Sequence, residues 1–226
     1  LIVKIKALQG LKRNSEAQQV NNAAISLVSD PVPFELIALD LDSSLHELGK
    51  LSASAKLAEK YPDNQSVLNN LAVRQLSAGL VQEADETLQK SLQLDPASSE
   101  TLLLLGQVNR RQGNLDQAIA RLSQAIKYEP SLINAYLEMG QTYQERREVD
   151  KAIDIYERAI KMVGSDPRPY VLLATAYKDS RDYKNAEAMF RQAAQISPND
   201  PSIRRQLSAI VALNLVTNLQ EASKRR

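Results

Sequence analysis

Through the middle and C-terminal parts of this chain a small residue returns every 34 positions, at Ala84, Ala118, Ala152 and Ala186. Large apolar residues keep the same step at Leu88, Leu122, Tyr156 and Phe190, and small ones return at Ser91, Ala125, Ala159 and Ala193. Upstream in each unit stand Leu71-Ala72, Leu105-Gly106, Met139-Gly140 and Leu173-Ala174, and each unit closes on a breaker at Pro96, Pro130, Gly164 or Pro198. A constant period of this length means repeated supersecondary units, none of which buries its apolar face alone.

Each unit reads as two helices. Leu102, Leu105 and Val108 share one face, while Leu115, Ala118, Ile119, Leu122, Ala125 and Ile126 trace the i, i+3, i+4, i+7 stripe of a second helix. Gly106 and Ala118 have little or no side chain, so the two backbones can approach closely with Leu122 filling the space beside them. Gly79 and Gly113 occupy the turn, where a left-handed residue ends a helix at no Cβ cost. Arg147 and Arg181 take that place in the next units and should lose up to ~1 kcal/mol each if the conformation is kept. Asp166-Pro167 and Asp200-Pro201 read as an N-capping carboxylate before a first-turn proline, and Ser99 and Ser131 as hydroxyl caps.

Composition narrows the functions. With 28 Lys+Arg against 27 Asp+Glu the net charge is +1, which gives a nucleic-acid partner no bulk electrostatic support. The absence of Cys removes disulfides, thiolate metal sites and Cys nucleophiles together. His46 is the single histidine and lacks the second His of a zinc motif. No cofactor, metal or catalytic residue is therefore expected. Asp40 with Asp42, Asp150 with Asp154, Arg146-Arg147 and Lys224-Arg225-Arg226 read as solvated charges. No stretch approaches the roughly 18 apolar residues of a membrane span. The chain opens on Leu1 rather than Met, which reads as a trimmed start. The cytoplasm is the favoured compartment, and a periplasmic or anchored form stays open.

The run Leu102…Leu105-Gly106…Ala118…Leu122…Ala125…Pro130 resembles the tetratricopeptide repeat family, whose helix–turn–helix unit has the same length. Further copies read Tyr136…Met139-Gly140…Tyr143…Ala152…Tyr156…Ala159 and Tyr170…Leu173-Ala174…Tyr177…Ala186…Phe190…Ala193…Pro198. The resemblance implies an all-α, right-handed solenoid of antiparallel helix pairs. Residues 65–200 are expected to form four regular repeats, and 201–226 a capping helix with a basic tail. Residues 1–64 should be degenerate helical repeats. Within them, Lys50 and Leu57 stand where small residues belong, and Ala17 and Ala24 fall one residue out of phase with the 34-residue step.

The resemblance further implies a groove, lined by the first helix of each pair, that holds a peptide or a partner's helix. Carried over position by position, its lining is Asn69, Asn70 and Val73; Leu103, Leu104, Gln107, Arg110 and Arg111; Leu137, Glu138, Gln141 and Gln144; and Val171, Leu172, Thr175 and Lys178. Several of the apolar ones read equally well as packing residues between neighbouring helices. Relatives that clamp a terminal carboxylate need cations and amides on three successive first helices. Here the corresponding residues include Leu104, Glu138 and Leu172. The Asn ladder of another subfamily reads Asn70, Leu104, Glu138, Leu172, so one amide remains. The expected function is a non-catalytic protein-interaction scaffold, an assembly or adaptor module. The alternative is a peptide-responsive regulator or co-chaperone-like part of a larger protein.

The last helix carries more apolar surface than one neighbour covers, at Val211, Leu213, Leu215, Val216 and Leu219. A following segment, a partner or a second copy in a homodimer would cover it, unless the helix curls deeper into the last pair. Asn214 interrupts the stripe through Ile203, Leu207 and Ile210, which then drifts onto Leu213 and Val216.

Overall fold

In this computed structural model all residues are described except Ser26, Ser43, Arg225 and Arg226, and nothing is described of the side chains of Glu221, Ser223 and Lys224. Part of the basic run Lys224-Arg225-Arg226 thus lies outside the described residues. The described residues form helices without strands. First helices begin at Gln65, Ser99, Ile133 and Pro167, and second helices at Val81, Leu115, Val149 and Tyr183, so each series of starts keeps the repeat step of the sequence.

The chain divides into two units, Leu1–Val108 and Asn109–Arg226. The first contains α1 (Ile2–Gly10), α2 (Asn14–Ile25), α3 (Val32–Leu41), α4 (Glu47–Lys60), α5 (Gln65–Ser77), α6 (Val81–Leu94) and most of α7 (Ser99–Arg111). One core joins Ile5, Leu8, Ala17, Ala24, Phe34 and Leu41 from α1, α2 and α3. The other joins Ala72, Leu76, Ala84, Leu88, Leu104, Leu105 and Val108 from α5, α6 and α7.

The second unit holds α8 (Leu115–Tyr128), α9 (Ile133–Glu145), α10 (Val149–Met162), α11 (Pro167–Asp179), α12 (Tyr183–Ile196) and α13 (Pro201–Lys224). The recurring small residues Ala118, Ala152 and Ala186 have no exposed surface, and neither do Ala125, Ala159 and Ala193. At Gly140 the approach is too tight for a side chain. A Cβ built there would lie 2.6 Å from Cζ and 2.8 Å from Cδ1 of Tyr156, and closer still to its Cε1. The Tyr156 ring is fully buried, and its hydroxyl donates to Gln144 Oε1 at 2.6 Å, so it cannot swing aside cheaply.

The turns behave alike. Gly79 and Gly113 have φ of 78° and 80°, and Arg147 and Arg181 both have 62°. In each case the positive-φ amide reaches back three residues and the next amide reaches back five, as with Arg147 to Gln144 O and Glu148 to Tyr143 O. Lys12, with φ of 58°, repeats the same pair of bonds to Gln9 and Leu8. Counted back from Gly79 it stands one position short of two full steps, which matches the phase shift of Ala17 and Ala24.

The expected caps hold at Asp166, which accepts from the Arg168 amide at 2.9 Å, and at Asp200, which accepts from the Ser202 amide at 2.8 Å. Two caps need correction. Ser99 is already helical, and the hydroxyl of Ser98 instead accepts from the Thr101 amide at 3.3 Å. Ser131 lies before Leu132, which occupies the N-cap of α9 without a side-chain bond.

These contacts set two expectations for stability. Gly140→Ala should destabilise by about 1–2 kcal/mol, because the clash with Tyr156 outweighs the helical gain of losing a glycine. Adding Tyr156→Leu, which recreates the Ala72 with Leu88 combination, should remove the penalty of the alanine. Urea unfolding of the parent, both single variants and the double variant checks this, and a Gly140→Ala variant more stable than the parent would refute the close approach. Separately, Arg147→Gly and Arg181→Gly should each stabilise by up to about 1 kcal/mol, read as a raised thermal midpoint.

Candidate partner-binding surface

In the first unit, several residues expected to line an open groove are interior. Leu103 and Leu104 are each 6% exposed, and Leu104 belongs to the core of α5, α6 and α7. Asn69 is 2% exposed and anchors a buried polar cluster. Its Oδ1 accepts from Ser91 Oγ at 2.7 Å and from Thr101 Oγ1 at 3.1 Å, while its Nδ2 donates to Glu100 Oε2 at 3.3 Å. These three are corrections: helix rotation turns them into the packing between neighbouring helices. Asn70 is half-buried and accepts from Ser54 Oγ at 2.9 Å. Gln107 is half-buried, and Val73 stays exposed.

The second unit corrects Leu137 in the same way, since it is 8% exposed. The remaining candidates lie on α9 and α11, with Arg110 and Arg111 at the end of α7. Arg110 Nη2 lies 2.9 Å from Glu138 Oε2, and its Nη1 2.6 Å from Glu145 Oε1. Burial opposes the Arg110 charge, but the two carboxylates more than offset it and raise the pKa above its ordinary value. Glu145 escapes the sequence reading, although its i+7 spacing from Glu138 puts both on one helical face. Gln144 is half-buried, and its Oε1 accepts from Tyr156, which fixes the side chain and leaves its amide N–H groups uncommitted by that bond. Burial, first of all, pushes the Tyr156 hydroxyl well above its usual range, so it serves as a neutral donor. Gln141, Val171, Leu172 and Thr175 are half-buried, and Arg111 and Lys178 are exposed. Val171 leans on the core formed by Ala174, Ala186, Phe190 and Ile210, and Thr175 Oγ1 donates to the Val171 carbonyl at 2.9 Å.

On α13, Ile203 and Ile210 are buried and Leu207 packs beside them, as the stripe requires. The expected drift onto Leu213 and Val216 does not occur. Asn214 keeps to the buried face and donates to Glu187 Oε2 at 2.8 Å, leaving Leu213, Leu215, Val216 and Leu219 exposed and Val211 half-buried. The Asn214 amide, helped by Arg191, holds the Glu187 carboxyl below its usual range. Other charged candidates are locally engaged: Asp40 pairs with Arg74, and Asp42 accepts from Ser44. No cluster of metal-ligating side chains occurs among the described residues, and no described helix is long and apolar enough to cross a membrane.

Residues 107–146 match the family model of the TPR repeat, and residues 137–201 that of the tetratricopeptide repeat. Residues 107–201 are tetratricopeptide repeats. These repeats make the chain, in general terms, a protein-interaction scaffold, and the family is generally non-catalytic. No curated protein matches it. Among solved structures, MamA is 29% identical with a TM-score of 0.58, over 67% of this chain and 89% of that one. A thermophilic TPR protein in Thermus thermophilus is 20% identical with a TM-score of 0.65, over 88% and 99% of the two chains. A tetratricopeptide repeat protein from Parabacteroides merdae is 16% identical with a TM-score of 0.72, over 92% and 81%. These last two likenesses concern the fold.

The burial of Leu104 and Asn69 sets a clear expectation. Leu104→Glu places an unpaired charge in the core and should cost about 3 kcal/mol or more, enough to lose cooperative unfolding in a marginal chain. Asn69→Leu removes the acceptor that Ser91 and Thr101 share and the donor to Glu100, leaving the two hydroxyls only each other and Ser98, and should cost about 1–3 kcal/mol. Val73→Glu, at an exposed site, should be close to neutral. Thermal unfolding followed by circular dichroism ranks the three, and equal midpoints would return Leu104 and Asn69 to the surface.

Proposed function

We propose that the chain is a non-catalytic assembly module that holds a segment of a protein partner on the first helices of its repeats, with α9 and α11 supplying the contact in the second unit. The observation that carries this reading is the pairing of equivalent positions: Gln141 with Thr175, and Gln144 with Lys178, stand one repeat apart on first helices of the same unit. A partner's extended segment or helix therefore meets repeated polar groups beside the half-buried Leu172. Arg110, already committed to Glu138 and Glu145, gives this surface a fixed charge arrangement rather than a free cation. Such an ion-paired rim favours selectivity over raw affinity.

The test is affinity capture with the full chain, followed by direct titration of each captured partner. Leu172→Glu combined with Lys178→Glu should weaken the partner's binding about tenfold or more while leaving the helical circular dichroism intact. Undiminished binding by this folded variant would move the contact off α9 and α11.

A further inference from the structure

Helix α4 inverts the size rule that the second helices of the regular pairs keep. By the 34-residue step, α4 has Lys50 and Leu57 where Ala84, Ala118, Ala152, Ala186 and Ser91, Ala125, Ala159, Ala193 allow close approach. It has Ser54 where Leu88, Leu122, Tyr156 and Phe190 fill the space. Ser54 is buried and spends its hydroxyl on Asn70. Beside Leu57, between α3 and α4, lies a cleft of about 270 Å³. Ile25, Ala38, Leu39, Ala53 and Leu57 make its walls apolar.

The rim is charged and incompletely paired. Glu35 Oε1 lies 2.8 Å from Lys60 Nζ, but Glu35 Oε2 is buried without a hydrogen-bond partner among the described residues. Lys56 is exposed at the same rim and has no ion-pair partner among the described residues. A cleft at the lower end of ligand-pocket sizes accommodates anchoring side chains better than a whole cofactor. The chemistry that satisfies all three features is an apolar side chain for the walls, a carboxylate for Lys56 and an amide N–H for Glu35 Oε2.

We infer that the α3–α4 cleft is a second docking site, separate from the α9–α11 surface, for a short peptide segment of a partner that carries leucine-like anchors next to acidic residues. Binding covers the apolar walls, neutralises Lys56 and gives the buried Glu35 oxygen the donor it lacks.

The probe is a fluorescently labelled peptide with paired leucines flanked by aspartates, titrated into the full chain and read by anisotropy. A matched peptide with lysines for the aspartates serves as control. The aspartate peptide should bind, and the lysine peptide should not. Lys56→Glu should weaken the aspartate peptide at least about fivefold, whereas Lys184→Glu, in α12, should leave it unchanged. Ala53→Leu fills the cleft and should weaken binding at least about tenfold without lowering the thermal midpoint; should it fail to fold, Lys56→Glu alone decides. The Leu172→Glu, Lys178→Glu variant should bind the peptide as the parent does, which separates this site from the one proposed above. The inference is overturned if the parent binds neither peptide or both equally, if Lys56→Glu has no effect, or if the groove variant loses the peptide.

Discussion

Everything in the regular part of this molecule depends on how closely two helix backbones can approach at the positions of least side chain. Ala118, Ala152 and Ala186, and their partners two helical turns on, are wholly buried, and Gly140 lies so near Tyr156 that a methyl group would not fit. Close approach lets one large residue per pair, Leu88, Leu122, Tyr156 or Phe190, fill the remaining space, and those four are among the most deeply buried side chains. Aromatic residues are few, so density comes from aliphatic and alanine contacts rather than from large rings. The groups left over on the first helices are then free to differ, which is how one scaffold comes to carry polar, ion-paired and apolar faces in different places.

Much of this is legible in the sequence because it rests on residue size and backbone sign, both of which are local. The repeat step marks the helix starts, and the turn position foretells a left-handed Arg147 and Arg181, since the chain reversal at that place demands it whatever residue stands there. Lys12 obeys the same demand, but its one-position offset hides it. The candidate surface is less legible. Leu103, Leu104 and Leu137 are solvent-facing or buried depending on a modest rotation about the helix axis, and that rotation is set by contacts with the next helix rather than by any periodicity. Asn214 shows the opposite lesson: a polar residue in an apolar stripe reads as the end of the face, whereas Glu187 across the interface gives it a partner.

The N-terminal part shows what happens when the size rule is relaxed. In α4 the large and small positions trade places while Ile37-Ala38 of α3 keeps the order of Leu71-Ala72, and the helices remain helices, because their local preferences are unchanged. What alters is the lining of the space between them. The cleft of the regular pair α9 and α10 is lined by Tyr143, Asp150, Lys151, Asp154 and Arg158 beside Met139 and Ile155, whereas that between α3 and α4 has mostly apolar walls.

The buried cluster of Asn69, Ser91 and Thr101 bears on how a chain of near-alike units finds its own order. Such a chain is exposed during folding to pairing one unit out of step, because each apolar face resembles the next. Moved along by one repeat, Asn69 would face Ala125 and Ala135 in place of Ser91 and Thr101, and Leu103 would take its place against the two hydroxyls. The first error buries the Asn69 amide with nothing to bond, at about 1–3 kcal/mol for each polar group stranded, and the second takes from the two hydroxyls the acceptor they share. A few hydrogen bonds inside one otherwise apolar junction act as an address, marking which helix belongs beside which in a molecule whose units are nearly interchangeable.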